Sequence, residues 1–152
     1  MIEEKINQLG LSLPTAPKPL ASYIPAITVG NLILTAGQLP FKDGSLAFKG
    51  KLGSDLNEED GKKAAQICAL NCLSVIKSEV GSLDLIDRVV KLTVFVNSAD
   101  GFINHPQVAN GASDLLKEIF GEHGKHVRSA VGVAELPLNA PVEIEMIVSV
   151  KS

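Results

Sequence analysis

The segment 127–134 contains the side chain best suited to binding a small charged ligand. Its residues alternate with the period of two that is typical of a β-strand. One face carries Val127, Ser129, Val131 and Val133, and the other carries Arg128, Ala130, Gly132 and Ala134. Arg128 beside a row of small residues predicts an open space in which the guanidinium binds a carboxylate through two parallel hydrogen bonds. The alternative is a structural salt bridge at a subunit interface.

Two carboxylates follow on the last predicted strand, residues 142–150. Its apolar face is formed by Val142, Ile144, Met146, Val148 and Val150, and Glu143 and Glu145 share the other face. Such a pair could supply a general base or could simply pair with lysines. An antiparallel closure around Leu138 would place Glu143 opposite Val133, so the sequence does not bring Glu143 to Arg128.

Two further pairs have the spacing of a metal or redox site. Cys68 and Cys72 lie one helical turn apart in an apolar stretch, and no neighbouring residue completes a metal site, so we predict buried structural cysteines. His123 and His126 flank Gly124-Lys125. Two histidines alone make a weak zinc site, so we interpret this segment as a polar loop. No nucleotide-binding or serine-hydrolase motif occurs. The sequence therefore predicts neither a metal nor a cofactor.

The composition limits the classes of partner. The chain has 152 residues, 45% of them hydrophobic, and its 14 basic and 17 acidic residues give a net charge of −3. These values exclude intrinsic disorder, and the high apolar fraction favours a homo-oligomer. Arg88 and Arg128 are the only arginines and Tyr23 is the only tyrosine. Nucleic acid is thus an unfavoured partner, because phosphate contacts and base stacking need clustered basic and aromatic residues.

Residues 19–41 carry no formal charge and must be considered as a membrane span. Prolines and glycines interrupt this stretch at the spacing of turns, so we interpret it as strands and predict no membrane segment. The acidic start Met1-Ile2-Glu3-Glu4-Lys5 lacks the apolar core of an export signal. The expected location is the cytoplasm, where both thiols would be reduced.

The order of the predicted elements indicates a single α+β domain spanning residues 1–152. A short helix over 2–9 and a proline-rich extended segment over 12–25 precede two strands, 26–29 and 32–36, joined by a Gly30-Asn31 hairpin turn. An edge strand over 46–48 and a long helix from Asn57 to about Val80 follow. A strand over 88–96, with Val90, Leu92, Val94 and Val96 on one face, a helix over 107–122 and the two strands above complete the domain. Two helices should pack on one face of a mixed sheet.

Several of these segments together resemble the RidA/YjgF family. Arg128-Ser-Ala-Val-Gly-Val-Ala-Glu-Leu-Pro137, followed by Val142-Glu-Ile-Glu145, is similar to the family's C-terminal signature. Ala21-Ser-Tyr23, the block from Gly30 to Pro40 and the strand 90–96 match it in the same order. The resemblance covers residues 20–150 and leaves residues 1–20 as an N-terminal extension.

The resemblance implies a chorismate-mutase-like fold that assembles as a homotrimeric barrel with clefts between subunits. It implies an enamine/imine deaminase that hydrolyses small 2-imino acids to 2-keto acids and ammonia without a cofactor. Arg128 would hold the substrate carboxylate, Glu143 would assist hydrolysis, and Tyr23, Ala36 and Gly37 would line the cleft.

The sequence also departs from the family pattern. Ala130 replaces the usual Cys two residues after the Arg, and we count it among the substrate-binding residues. The second-helix Asn has two candidate equivalents, Asn110 and Ser113, of which we select Ser113 as a substrate-binding residue. Extra residues around 98–113 indicate a longer, divergent branch. Two other functions stay open. One is a non-catalytic trimer that binds a small carboxylate as a sensor, and the other is the endoribonuclease activity attached to the family name, which the net charge disfavours.

Overall fold

The computed structural model describes residues 1–16 and 22–152 of the chain. Ala21 and part of the predicted proline-rich segment therefore lie outside the described residues. The described residues form three α-helices and seven strands in a mixed α+β arrangement. Their bounds, in chain order, are α1 Ile2–Gln8, β1 Ala26–Val29, β2 Leu32–Thr35, β3 Phe41–Lys42, β4 Ser45–Leu46, α2 Glu58–Val80, β5 Ile86–Asn97, α3 His105–Phe120, β6 Val127–Val133 and β7 Val142–Val150. The fold class and the three helices are as the sequence predicts, whereas strand β3 is not predicted.

The long helix α2 begins and ends where its sequence signals predict. The Asn57 side chain accepts a hydrogen bond from the Asp60 amide at 2.9 Å, and the Asp60 carboxylate accepts one from the Asn57 amide at 3.2 Å. Gly81 ends the helix with a φ of 92°, a conformation that favours glycine. Every residue of the predicted apolar stripe is buried, namely Ala64, Ala65, Cys68, Leu70, Cys72, Val75 and Ile76.

The five main strands are arranged in the order β1-β2-β7-β5-β6. β1 and β2 form the predicted hairpin, with Gly30 at a φ of 62° in its turn. β5 and β6 are parallel, and α3 forms the crossover between them. The predicted hairpin of the last two strands is wrong, because β5 lies between β6 and β7. Glu143 is therefore opposite Phe95 of β5 and not opposite Val133.

Two strand predictions need a smaller correction. β5 has an irregularity in its register with β7 between Val89 and Lys91, so Val89 and not Val90 shares the buried face with Leu92, Val94 and Val96. The predicted edge strand at 46–48 is instead a two-stranded ribbon outside the main sheet, in which β3 pairs with β4. Asp43 and Gly44 form its turn, both at positive φ.

The two faces of the sheet differ in their burial. α2 and α3 cover one face, where Ile33, Leu92, Val94, Ile144 and Val148 have no exposed surface. On the opposite face four large apolar side chains remain exposed in the single chain: Ile27 (48%), Val29 (58%), Val127 (66%) and Val131 (45%). An apolar surface of this kind on a sheet face is typical of a subunit interface.

Cys68 and Cys72 lie in the core between α2 and β7, as the sequence predicts. Their thiols donate to the carbonyl oxygens of Val142 and Ile144 at 3.5 and 3.3 Å. Burial raises the pKa of Cys72 to about 12 and also raises that of Cys68, so both thiols are protonated. The described part of the chain has no cluster of three His, Cys, Asp or Glu side chains that could hold a metal, and no helix long and apolar enough to cross a membrane.

Candidate functional site

Arg128 lies on the edge strand β6 and points toward α3. Its partner on β5 is Leu92, which belongs to the face that the helices cover. The predicted alternation of β6 is therefore confirmed. α3 narrows the predicted open space above the small residues but does not fill it, because Gly132 and Ala134 remain exposed in the single chain. A β-carbon on Gly132, for example, would lie 2.6 Å from Nε2 of His105.

The helix holds the guanidinium of Arg128 through three acceptors. Nη1 donates to Oδ1 of Asn110 at 2.8 Å and to Oγ of Ser113 at 2.9 Å, and Nη2 donates to the carbonyl oxygen of Pro106 at 3.2 Å. Among the described residues no carboxylate pairs with Arg128. The Nε–H and the second hydrogen of Nη2 thus remain for an external acceptor.

A half-buried histidine extends this network. Nε2 of His126 lies 2.8 Å from Oγ of Ser113, and its Nδ1 lies 2.7 Å from the carbonyl oxygen of Gly124. Since a carbonyl only accepts, Nδ1 must carry a proton, and in the neutral imidazole Nε2 then accepts the Ser113 hydroxyl. A continuous chain of hydrogen bonds therefore runs from Arg128 through Ser113 and His126 to Gly124, and it fixes the position of the guanidinium.

The environment of His126 favours its neutral form. Burial, with a smaller contribution from the Arg128 charge, lowers the pKa of His126, and the hydrogen bond to Gly124 opposes this only in part. The folded chain therefore binds this proton less readily than the unfolded chain does.

Because folded and unfolded chains bind the His126 proton with different affinity, the stability of the protein should depend on pH. As the pH falls from about 6.5, the usual pKa of an unfolded histidine, toward the lower pKa of folded His126, the free energy of unfolding should decrease. Urea denaturation of the wild type and of His126→Gln between pH 8 and 5 measures the effect. The decrease should be smaller in His126→Gln. A matched His123→Gln variant should behave as the wild type, because His123 is exposed and contacts Asp87 outside the network. Equal slopes in all three proteins would contradict the account.

Glu143 lies on β7 against the end of β2. The Gln38 amide donates to the carbonyl oxygen of Ile144 at 2.8 Å, and the Ile144 amide donates to that of Gln38 at 3.0 Å. This bridge brings Gly37 so close to Glu143 that a β-carbon at position 37 would overlap with the carboxylate. Burial, and then the neighbouring charge of Glu145, raise the pKa of Glu143. A raised pKa on a half-buried carboxylate suits a group that exchanges protons near neutral pH.

Within one chain the predicted site residues form two separate groups. Arg128, Ser113 and Ala130 lie on the helix-covered face, because Arg128 and Ala130 pair with the buried Leu92 and Val94. Glu143 pairs with Phe95, whose side chain points to the opposite face, and Gly37, the residue after Ala36, lies beside it. Tyr23 is 64% exposed before β1. No hydrogen bond among the described residues links Tyr23 to either group. One chain therefore does not assemble the predicted site.

The structure adds residues that the sequence reasoning missed. The sequence indicates only a polar loop for His126, and it gives no sign that the carbonyl oxygen of Pro106 contacts Arg128. The sequence contains one weak indication of this role for His126. His126 precedes Arg128 by two residues, so in an extended chain both side chains point to the same side. Asn110 and Ser113 were alternatives for one position, and both contact Arg128 because they are three residues apart on one face of α3.

A family model and similar proteins of known sequence place the chain in one family. The model of the YjgF/chorismate mutase-like family, whose description also carries an endoribonuclease label, matches residues 3–149. The protein TCP17 of Trypanosoma cruzi is 41% identical over 152 residues, which cover 99% of this chain and 95% of that protein. A 2-iminobutanoate/2-iminopropanoate deaminase of Dermatophagoides farinae is 31% identical over 141 residues, covering 93% of this chain and 95% of the deaminase.

Solved structures share the fold to different degrees. Atu1372 of Agrobacterium tumefaciens is 42% identical and superposes with a TM-score of 0.93, covering 99% of this chain and 92% of that one. TdcF of Escherichia coli, solved with bound serine, is 26% identical with a TM-score of 0.62 over 90% of this chain and 94% of TdcF. The chain is thus similar to Atu1372 over its whole length, whereas it shares with TdcF the general fold.

Proposed function

Since the chain belongs to the YjgF/chorismate mutase-like family, we propose that it hydrolyses small 2-imino acids to 2-keto acids and ammonia. The observation that carries the proposal is the guanidinium of Arg128. It is fixed by Asn110, Ser113 and Pro106, and two of its N–H groups still lack a protein acceptor among the described residues. A rigid, partly available guanidinium is suited to bind a carboxylate in two parallel hydrogen bonds.

The reaction needs only a positioned water and a route for protons. The oxygen of water adds to the electrophilic imine carbon, and a proton from that water moves to the imine nitrogen to give a carbinolamine. The hydroxyl proton of the carbinolamine then passes to the nitrogen as the carbon–nitrogen bond breaks, so that ammonia departs and the carbonyl of a 2-keto acid forms. Glu143 accepts a proton from the attacking water and returns it to the nitrogen. Its raised pKa places the carboxyl closer to the pH at which both transfers are efficient. The substrate carboxylate, held by Arg128, orients the imine carbon toward this water.

We infer that the two groups of residues meet across a subunit interface in a homotrimer. Two observations support this. Ile27, Val29, Val127 and Val131 expose apolar surface on the face of the sheet that also carries Glu143. Arg128 lies on the edge strand β6, where a neighbouring chain can approach it without unfolding the sheet. A closed cyclic assembly repeats the same contact and so creates identical clefts.

The direct test of the activity uses the wild-type protein with two substrates. 2-Iminopropanoate and 2-iminobutanoate are released in situ from alanine and 2-aminobutanoate by an amino-acid oxidase, and semicarbazide intercepts the imine that remains. The protein should lower the intercepted fraction in proportion to its concentration and accelerate keto-acid formation. No acceleration over buffer with either imine, at protein concentrations equal to those of the oxidase, would contradict the proposal.

One observation favours a second candidate, a non-catalytic carboxylate-binding protein. The guanidinium of Arg128 is already bonded by its own chain, and Glu143 lies on the other face of the sheet. An assembly in which Arg128 and Glu143 stay apart would still bind a 2-keto acid at Arg128. Calorimetric binding of 2-ketobutanoate that is lost in Arg128→Ala, together with the absence of imine turnover, would identify this second function.

A further inference from the structure

A cavity of about 490 Å³ lies outside the Arg128 network, on the exposed side of α2. Three segments form its walls: residues 10–14 after α1, the β3–β4 ribbon with Ala47 and Phe48 that follow it, and the α2 residues Lys63, Gln66, Ile67 and Leu70. No residue of the Arg128 network or of the Glu143 group lines it. Its volume lies within the range of about 300–1,000 Å³ that is typical of sites for small organic ligands.

Two buried polar side chains of α2 fix the walls of this cavity. The amide nitrogen of the Asn71 side chain donates to the carbonyl oxygens of Leu39 and Phe41 at 2.9 and 3.0 Å, and so holds the ribbon. The Ser74 hydroxyl donates to the carbonyl oxygen of Pro14 at 2.6 Å, and so holds the N-terminal segment. Both side chains are at most 8% exposed. The cavity is therefore a formed feature of the fold and not a gap between loosely placed loops.

The lining of the cavity has an apolar interior and a charged rim. The apolar side chains come from all three walls and include Leu11, Pro14, Phe41, Phe48, Ile67 and Leu70. Lys42, Asp43 and Lys63 are the charged residues of the lining, which gives a net positive rim. Neither lysine forms an ion pair with a carboxylate in residues 1–16 and 22–152. This pattern fits a ligand with an apolar body and one negative charge.

We propose that this cavity binds an aliphatic monocarboxylate of medium chain length. The chain of the ligand packs between Phe48, which follows the ribbon, and Ile67 of α2, and the carboxylate lies at the rim near Lys42 and Lys63. A short 2-imino acid would leave most of the apolar surface unfilled, so this site differs in ligand class from the one at Arg128. The inference does not depend on the proposed deaminase activity.

Octanoate is the probe that tests the proposal, with 1-octanol and octylammonium as matched ligands of different charge. We expect saturable shifts of the Leu11, Ala47 and Gln66 amide resonances when octanoate is titrated into the full-length, ¹⁵N-labelled protein. Octanol should bind more weakly and octylammonium more weakly still, because only octanoate complements the lysines. Equal affinity for all three ligands, or shifts confined to other parts of the chain, would overturn the proposal.

Variants separate the role of the rim from that of the interior. Lys42→Ala/Lys63→Ala should weaken octanoate binding about fivefold or more while leaving octanol binding unchanged, as expected for two exposed charge contacts. Lys62→Ala is the matched control, because Lys62 is next to Lys63 but pairs with Glu59 at 3.5 Å and does not line the cavity. Ala47→Trp should fill the cavity from its exposed edge and abolish binding. Unchanged affinity in both the lysine and the tryptophan variants would contradict the site.

A last comparison keeps this inference distinct from the proposed function. Arg128→Ala should bind octanoate as the wild type does, whatever its effect on imine turnover. Loss of octanoate binding in Arg128→Ala would instead place the octanoate at the Arg128 site and overturn the assignment of a second one.

Discussion

Arg128→Ala should lower kcat/KM for 2-iminopropanoate by about 100-fold or more. The substitution removes two charge-assisted hydrogen bonds to the substrate carboxylate, and a loss of about 3 kcal/mol of binding in the transition state corresponds to that factor. Arg128→Lys should recover little of the activity, because an ammonium keeps the charge but cannot form the paired hydrogen bonds. Steady-state kinetics of imine loss, with circular dichroism to verify the fold of each variant, gives the measurement.

Arg88→Ala is the matched control for this prediction. Arg88 is the chain's other arginine, and its guanidinium donates to the carbonyl oxygen of Lys125 at 3.0 Å, away from Asn110 and Ser113. Its removal lowers the net charge by the same amount and should leave kcat/KM within about twofold of the wild type. If both variants lose activity equally, the effect is one of overall charge, and Arg128 is not the anchor.

Glu143→Gln should lower kcat by about 100-fold or more with a small change in KM. The amide has nearly the shape of the carboxylate and can keep the contact with Gly37, but it cannot accept and return a proton. Glu145→Gln is the matched control on the same face of β7, and it should keep most of the activity at neutral pH. If Glu143→Gln is as active as Glu145→Gln, Glu143 does not transfer protons in the reaction.

The two carboxylates also predict a shift in the pH profile. Activity should be lost as the pH falls through the raised pKa of Glu143, because the protonated carboxyl cannot accept a proton from water. Since the charge of Glu145 contributes to raising that pKa, Glu145→Gln should move the acid limb of kcat/KM to lower pH. A profile of Glu145→Gln that coincides with the wild type would show that Glu143 does not control the limb.

Local signals in the sequence were sufficient for most elements of the fold. The cap at Asn57, the stop at Gly81 and the period of the buried residues defined α2, and Gly30-Asn31 defined the first hairpin. The alternation of β6 correctly separated Arg128 from Val127. These features depend on the conformation of a few neighbouring residues, which is why the pattern of residues determines them.

Strand order and register depend on contacts between distant segments, so the local sequence pattern does not predict them. Leu136-Pro137-Leu138 has the composition of a tight turn, yet the chain there crosses over β5, because the parallel pairing of β5 with β6 is imposed by α3. The register shift in β5 likewise leaves no mark in the period of its valines.

In the candidate site too, the sequence indicates which residues are candidates but not how distant segments pack around them. Residue types and alternation make Arg128 and the pair Glu143 and Glu145 candidates, and the family resemblance selects Glu143 and Ser113 among the alternatives. It could not show that α3 covers Arg128, nor that His126 completes the network, because both follow from how the helix packs on the edge strand.

The claim that Arg128 of one chain and Glu143 of another form one imine-hydrolysing cleft is tested most directly by mixing subunits. Arg128→Ala and Glu143→Gln proteins, each nearly inactive, are unfolded together in equal amounts and refolded into mixed trimers. If the cleft is shared between subunits, random assembly pairs an intact Arg128 with an intact Glu143 in about one cleft in four, and about a quarter of the wild-type activity should return. Mixed trimers that remain as inactive as their parents, while wild type refolded in the same way regains its activity, would contradict the shared site.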